Sequence, residues 1–213
     1  MRLAAREPTP RFRSHPRSSP MRISGGISGG LLVKVPKGFD VRPTPDLVKQ
    51  ALFNSLGELV IGARVLELFA GTGALGLECL SRGAGHVVSV EKANRHARMI
   101  QENLLSTRLD SRQFELRIQD AFVAVTQLAL AGRQFDLILA DPPYGEKNVG
   151  RRSTSFAQRL LDDVHLPQLL ASDGRFVLGH TKRDNLDIPD AWEEIKMLKH
   201  GDSVMRFLQL AKT

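Results

Sequence analysis

Arg64-Val65-Leu66-Glu67-Leu68-Phe69-Ala70-Gly71-Thr72-Gly73-Ala74-Leu75-Gly76 reads as a strand, a glycine-rich turn and the start of a helix. Gly71 and Gly73 let the backbone turn tightly and approach a ligand with no Cβ in the way, and Gly76 lets the helix pack close to the strand. Taken literally, Gly71, Gly73 and Gly76 also spell G-x-G-x-x-G, a weak dinucleotide signal when alone. A tight strand-to-helix turn with no ligand gives the same text.

Outward from this turn, strand and helix patterns alternate. Strands are expected at 64–69, 86–91, 114–119, 135–140 and 175–178, and helices at 74–81, 93–106, 121–131 and 154–171. Strands at 192–198 and 204–210, joined by a turn at Gly201-Asp202, must be antiparallel because so short a link cannot cross over. The alternation predicts an α/β fold, a mostly parallel sheet covered on both faces. Upstream, two short strands around Gly25–Gly30 precede a helix with Thr44 as N-cap and Pro45 in its first turn, which Gly57 ends. The expected organisation is a basic tail at 1–20, a hairpin and helix at 21–57 and the main domain at 58–213.

In an open parallel sheet, ligands bind beyond the carboxyl ends of the strands. Two further strand ends carry acids. Glu91 can accept bonds from both ribose hydroxyls of a nucleoside and would repel a 2′-phosphate, which disfavours NADP. Asp120 is placed for an adenine amino group, with Ala121 and Phe122 beside it. Each alone also reads as a solvated strand-end carboxylate; the three strand ends together point to a nucleoside.

The fourth strand ends at Asp141-Pro142-Pro143-Tyr144. Pro142 cannot donate to a sheet ladder, so the strand stops there, and the two prolines fix the backbone with few N–H groups to compete for its carbonyls. An acid, a rigid carbonyl and an aromatic face suit a planar substrate bearing an NH2 group: Asp141 and the Pro142 carbonyl accept its two hydrogens and Tyr144 stacks on the ring.

Composition removes other classes. The single cysteine, Cys79, forms no intrachain disulfide, and the six histidines show no ligand spacing, so no metal site is expected. No run approaches the roughly 18 apolar residues of a membrane span, and no apolar segment of a secretory signal follows the N-terminal arginines. A cytoplasmic protein is expected, with nothing demanding more than a monomer. The net charge of +7 is lopsided: residues 1–54 hold ten Lys and Arg against three Asp and Glu, while 55–213 hold twenty of each. Residues 1–20, with five Arg and four Pro, are expected to be disordered. They are a basic arm that gathers RNA phosphates or a tail without a role, translated from a start upstream of Met21; an organelle transit peptide is also Arg-rich and acid-poor but ranks lower, since no amphipathic helix is evident.

The Phe69-Ala70-Gly71-Thr72-Gly73 turn, Glu91, Asp120 and Asp141-Pro142-Pro143-Tyr144 together resemble an S-adenosylmethionine-dependent amino-methyltransferase. Arg22-Ile23-Ser24-Gly25-Gly26, Arg42-Pro43-Thr44, Leu52-Phe53-Asn54 and Gly73-Ala74-Leu75-Gly76-Leu77-Glu78 are similar to the bacterial family that methylates guanine N2 in 16S ribosomal RNA. The resemblance covers about residues 21–213. It implies a Rossmann-like class I methyltransferase fold with a seven-stranded sheet whose last strand is antiparallel. It assigns S-adenosylmethionine to Glu67, Phe69, Ala70, Gly71, Thr72, Gly73, Glu91, Lys92, Asp120, Ala121 and Asp141, catalysis to Asp141, Pro142 and Tyr144, and RNA contacts to Pro143, Arg42 and Thr44. The partner implied is 16S rRNA in the small ribosomal subunit or its assembly intermediate. Where the family's hairpin carries basic residues this chain has Gly26-Ile27-Ser28-Gly29-Gly30, leaving Lys34, Lys37 or the tail to compensate.

The mechanism implied is in-line methyl transfer to a base flipped out of its stack. Arg151 and Arg152 then hold phosphates near that base or form a solvated surface pair, and Lys182-Arg183 has the same two readings. Cys79, inside the helix after the glycine turn, reads as buried packing, which argues against cytosine-C5 chemistry. Rival readings are adenine-N6 methylation, methylation of a protein amide, a nicotinamide-dependent oxidoreductase and a catalytically silent RNA-binding protein.

Overall fold

A computed structural model describes residues 21–35, 46–143 and 152–212. An antiparallel pair, β1 (Met21–Arg22) and β2 (Leu32–Val33), precedes α1 (Asp46–Leu56). In α1, Val48, Leu52, Phe53 and Leu56 fall on one buried face at helical spacing. Gly57, at φ 53°, then breaks the helix and a short 3-10 turn follows. The proposed caps Thr44 and Pro45 lie outside the described residues, as does the 1–20 tail.

The main sheet comprises β3 (Arg64–Leu68), β4 (His86–Glu91), β5 (Phe114–Ile118), β6 (Phe135–Ala140), β7 (Leu170–Thr181), β8 (Trp192–His200) and β9 (Ser203–Leu210). Their order is β5-β4-β3-β6-β7-β9-β8, and β9 runs antiparallel to both neighbours. Between them lie α2 (Ala74–Ser81), α3 (Asn94–Ser106), α4 (Ala121–Leu130), α5 (Phe156–Leu161) and α6 (Leu166–Leu169). This is the α/β architecture expected, including the antiparallel last strand.

Side-chain alternation divides the core. Val65, Leu137, Leu139 and Val177 join β1, β2, α1, α2 and α3 on one side of the sheet. Leu66, Leu68, Ile138 and Phe176 join α4, α5 and α6 on the other. Both faces are covered, which is why the central strands read as near-continuous apolar runs.

The early hairpin is bolted to the sheet's helices by a buried polar cluster. Ser24 gives its N–H and its hydroxyl to the two oxygens of Glu78, each at 2.7 Å. Glu78 also pairs with Lys49 at 3.4 Å, both side chains fully buried, and with Arg82 at 2.8 Å. Gly25 faces the Arg82 guanidinium, and a Cβ on Gly26 would stand 1.8 Å from the Ser81 carbonyl oxygen. The Ser24-Gly25-Gly26 text is therefore a docking surface for the end of α2. On the far side, Asn103 donates to the carbonyls of Lys34 and Thr72, tying β2 to the glycine turn.

One expected element differs. The single helix over 154–171 is two short ones, because Asp163 accepts the N–H groups of His165 and Leu166 at 2.8 and 3.2 Å and restarts the chain in a new direction. Pro167 suits that second start, having no N–H to satisfy there. Leu170 then already belongs to β7, which is twelve residues long rather than the four expected at 175–178. Its pairing with β6 slips between Phe135–Leu170 and Leu137–Arg175, and this irregularity hides the first half of the strand in the sequence.

Candidate active site

The strand order reverses at β3, which has β4 on one side and β6 on the other, so a crevice opens beyond their carboxyl ends. The turn leaving β3 fills its floor. Phe69 and Gly71 both sit at φ 57° and Gly73, the residue before α2, at φ 73°. For Phe69 that left-handed backbone is strained, and such strain persists only where the surroundings impose it. They do: Ala70 N–H bonds the Val90 carbonyl at 3.0 Å, Gly71 N–H the Glu91 carboxylate at 2.8 Å, and Asn103 holds the buried Thr72 by its carbonyl at 3.0 Å. A Cβ on Gly76 would meet Glu67 Oε2 at 2.6 Å and Ser89 Oγ at 2.9 Å, so the glycine does set the depth of α2 against the sheet.

Four acids surround this turn, each with different partners. Glu67 lies beneath it, 2% exposed, accepting from Leu75 N–H at 3.1 Å and from the Ser89 hydroxyl. Burial pushes its carboxyl up to about 7, against the pull of its hydrogen bonds from Ser89, Gly76 and Leu75 and with a further push from the Glu91 charge. Glu91 spans two elements, one oxygen on Gly71 N–H and the other on Ala93 N–H, each at 2.8 Å, with His96 Nδ1 at 3.5 Å. Asp120 accepts from Phe122 N–H at 3.0 Å, so it caps α4, and meets Lys92 at 3.3 Å. Burial raises the Asp120 carboxyl, but the Phe122 N–H and Lys92 outweigh it and hold the group below the usual carboxylate value. Asp141 emerges at the end of β6, its carboxylate lying across Gly179 of β7. Pro142 is buried and Pro143 exposed.

Beside Asp120, the rings of Phe69, Phe122 and Phe156 form a triangle with centroids 5.7 to 6.1 Å apart. The Arg159 guanidinium covers the Phe122 ring at 4.1 Å. Two buried nitrogens on this edge, His96 Nε2 and Gln119 Nε2, have no hydrogen-bond partner among the described residues.

The structure thus gathers Phe69, Ala70, Gly71, Thr72 and Gly73 with Glu91, Lys92, Asp120, Ala121 and Asp141 at one sheet edge. Tyr144, Arg42, Thr44 and Arg151 lie outside the described residues. Arg152 is committed within the protein, to Asp162 at 2.8 Å and Asp187 at 3.5 Å. Lys182 pairs with Asp202 at 3.0 Å. Cys79 is fully buried, and burial raises its thiol well above the ordinary value, the neutral form that packing requires. Sequence reasoning passed over Phe156, Arg159 and Gly179. Only Gly179 left a signal, a glycine inside an apolar strand, which marks close approach by another group.

The donor set fits a nucleoside-bearing ligand: two strand-end carboxylates for hydroxyl and amine hydrogens, a turn without Cβ atoms, and unpartnered buried nitrogens beside them. Among the described residues, no helix is long and apolar enough to cross a membrane.

A sheet of this order, with such an edge, defines a class I methyltransferase fold. The chain belongs to the family described as conserved hypothetical protein 95, whose model matches residues 21–209. It is 32% identical over 179 residues to YlbH of Bacillus subtilis, a protein provisionally named as an rRNA methyltransferase; the match spans 84% of this chain and 91% of that one. It is 34% identical over 131 residues to ribosomal RNA small subunit methyltransferase D of Escherichia coli, spanning 62% of this chain and 64% of that one. Among solved structures it superposes on a Thermus thermophilus 16S rRNA N2 methyltransferase in complex with AdoMet and guanosine. That likeness has a TM-score of 0.61 at 26% identity, over 85% of this chain and 46% of that one.

Proposed function

We propose that this protein methylates the exocyclic N2 amine of a guanine in 16S ribosomal RNA, with the base flipped out of its stack, as a cytoplasmic monomer acting on the small subunit or an assembly intermediate. The chain is an S-adenosylmethionine-dependent methyltransferase, and its relatives named above support ribosomal RNA as the substrate class. The observation that carries the finer reading is the Asp141 carboxylate at the end of β6, followed at once by two prolines and seated where the strand order reverses.

The residues fit the cofactor. The Phe69–Gly73 turn would take its amino-acid end above Glu67, Glu91 the ribose hydroxyls, and Asp120 with Ala121 and Lys92 the adenine. S-adenosylmethionine, when bound, supplies an electrophilic methyl group on a sulfonium. The protein's task is to present a nucleophile to it. A guanine N2 lone pair is delocalised into the ring and attacks poorly. Asp141 and the Pro142 carbonyl accept the two N2 hydrogens, draw the nitrogen toward tetrahedral geometry and aim its lone pair. As the N–C bond forms, the methyl–sulfur bond would break with its electron pair staying on sulfur, and the surplus N2 proton leaves to Asp141 or to water. Tyr144 stacks on the ring, offsetting about 1–3 kcal/mol of the unstacking cost. No nucleophilic side chain is needed, consistent with the neutral, enclosed Cys79.

Positioning of this kind supplies roughly 7–11 kcal/mol of rate enhancement. Asp141→Ala is therefore expected to lower methyl transfer by at least about 100-fold while calorimetry still detects S-adenosylmethionine binding. Full activity in that variant would refute the assigned role, and binding of NAD without S-adenosylmethionine would refute the cofactor.

A further inference from the structure

We propose that Gly179 is a positioning residue for the methyl transfer: its missing side chain makes the space in which the Asp141 carboxylate lies, and so fixes where the N2 acceptor stands. The inference rests on the catalytic reading of Asp141 given above.

Gly179 sits in the second half of β7, paired with Met205 of β9. It is not among the glycines with positive φ, so no left-handed backbone demands a glycine there. Glycine in a strand interior weakens it, because it adds backbone entropy to the unfolded chain and packs nothing. Space is the remaining reason. Ala140 of β6 pairs with Leu178 of β7, so the next residues, Asp141 and Gly179, stand side by side as β6 ends. A Cβ on Gly179 would be 2.4 Å from Asp141 Oδ1, 3.0 Å from its Cγ and 3.3 Å from its Cα. The carboxylate therefore lies flat across the neighbouring backbone.

The strand beneath it cannot slide away. The adjoining His180 is buried, with its Nδ1 on the Thr181 carbonyl at 2.8 Å and its Nε2 accepting from Arg206 Nε at 2.9 Å; Arg206 in turn pairs with Glu194. Three strands are locked around the glycine. An added methyl group must then be relieved by the Asp141 side chain, because the backbone on either side is held and Oδ1 is the atom it would strike. Displacing that carboxylate moves the acceptor by about 1 Å or more, a displacement that costs roughly 100-fold in rate.

The test is a double-variant cycle on the full chain: wild type, Gly179→Ala, Asp141→Ala and both together, scored for kcat, KM for small-subunit RNA, S-adenosylmethionine affinity and thermal midpoint. Gly179→Ala is expected to lower kcat by about 10- to 100-fold while KM and cofactor affinity stay within about twofold. In the Asp141→Ala background the same change should lower kcat by less than about twofold, because two residues acting through one group are not additive. Should Gly179→Ala lower the thermal midpoint, removing the carboxylate in the double variant should restore it. Wild-type kcat in Gly179→Ala, or an equal loss in both backgrounds, would overturn the proposal. Full activity in Asp141→Ala would instead overturn the reading on which it rests.

Discussion

Glu67 shows how far burial can override a residue's ordinary chemistry. Enclosed under the glycine turn, its carboxyl is raised from 4.5 to about 7. A folded-state value above the unfolded one means the group favours folding while protonated. Its contribution is whole below about pH 4.5 and is lost as pH rises through about 7. The loss is on the order of 3 kcal/mol across that window. Urea unfolding at about pH 5 and about pH 8 should therefore give a steeper pH dependence for wild type than for Glu67→Gln, in which nothing titrates. Equal slopes would contradict this account of Glu67. At this scale the sequence was legible where spacing carried the signal: Gly76 as a packing glycine, Asp141 before two prolines, Glu91 and Asp120 at strand ends. Glu67 reads in the sequence as one more acid of the turn, because burial beneath a helix is a tertiary fact. Arg152 reads as a free cation, since its partners Asp162 and Asp187 belong to later segments.

Among the elements, the early hairpin has the least backbone pairing and the most side-chain anchorage. Two residues per strand cannot hold it, so the Ser24–Glu78–Lys49–Arg82 cluster does. Breaking a buried pair strands its partner's charge, which makes the anchorage costly to disturb. Two glycines separate packing from backbone strain. Gly26 and Gly30 both have left-handed φ, 76° and 86°, but a Cβ on Gly26 would strike the Ser81 carbonyl and one on Gly30 would meet nothing within 4 Å. Each alanine substitution costs roughly 1–2 kcal/mol in backbone conformation. Gly26→Ala should lower the melting midpoint by at least about 4 °C more than Gly30→Ala. Equal losses would show that the hairpin is not docked as described. Most elements were legible from their apolar periodicity, α2, β4 and β6 to the residue. The split between α5 and α6 was not, because Asp163 as a mid-run cap looks like any surface acid. The front half of β7 was also hidden, behind a break in its pairing with β6.

At the scale of the whole molecule, the excess charge and the crevice fall in different parts of the sequence. The net charge of +7 belongs to residues 1–54, and the balanced remainder contains the crevice. The order β5-β4-β3-β6-β7-β9-β8 explains why one edge collects the glycine turn with Glu91, Asp120 and Asp141: the parallel strands all end there, and the reversal at β3 opens the gap. The parallel sheet and its antiparallel last pair were legible from strand–helix alternation and the short last turn; the order of the strands was not, because it is set by packing between segments distant in the sequence. The aromatic triangle of Phe69, Phe122 and Phe156 was not legible either, since its members come from the turn after β3 and the first residues of α4 and α5, and share no spacing. The choice of base is the central claim and belongs to this scale, because it depends on the assembled pocket and its RNA. It is tested most directly by transferring a tritiated methyl group to small ribosomal subunits from a strain lacking the protein, followed by digestion to nucleosides. Label recovered in N2-methylguanosine from 16S rRNA is the expected result; label on adenine, or none on ribosomal RNA, would contradict it.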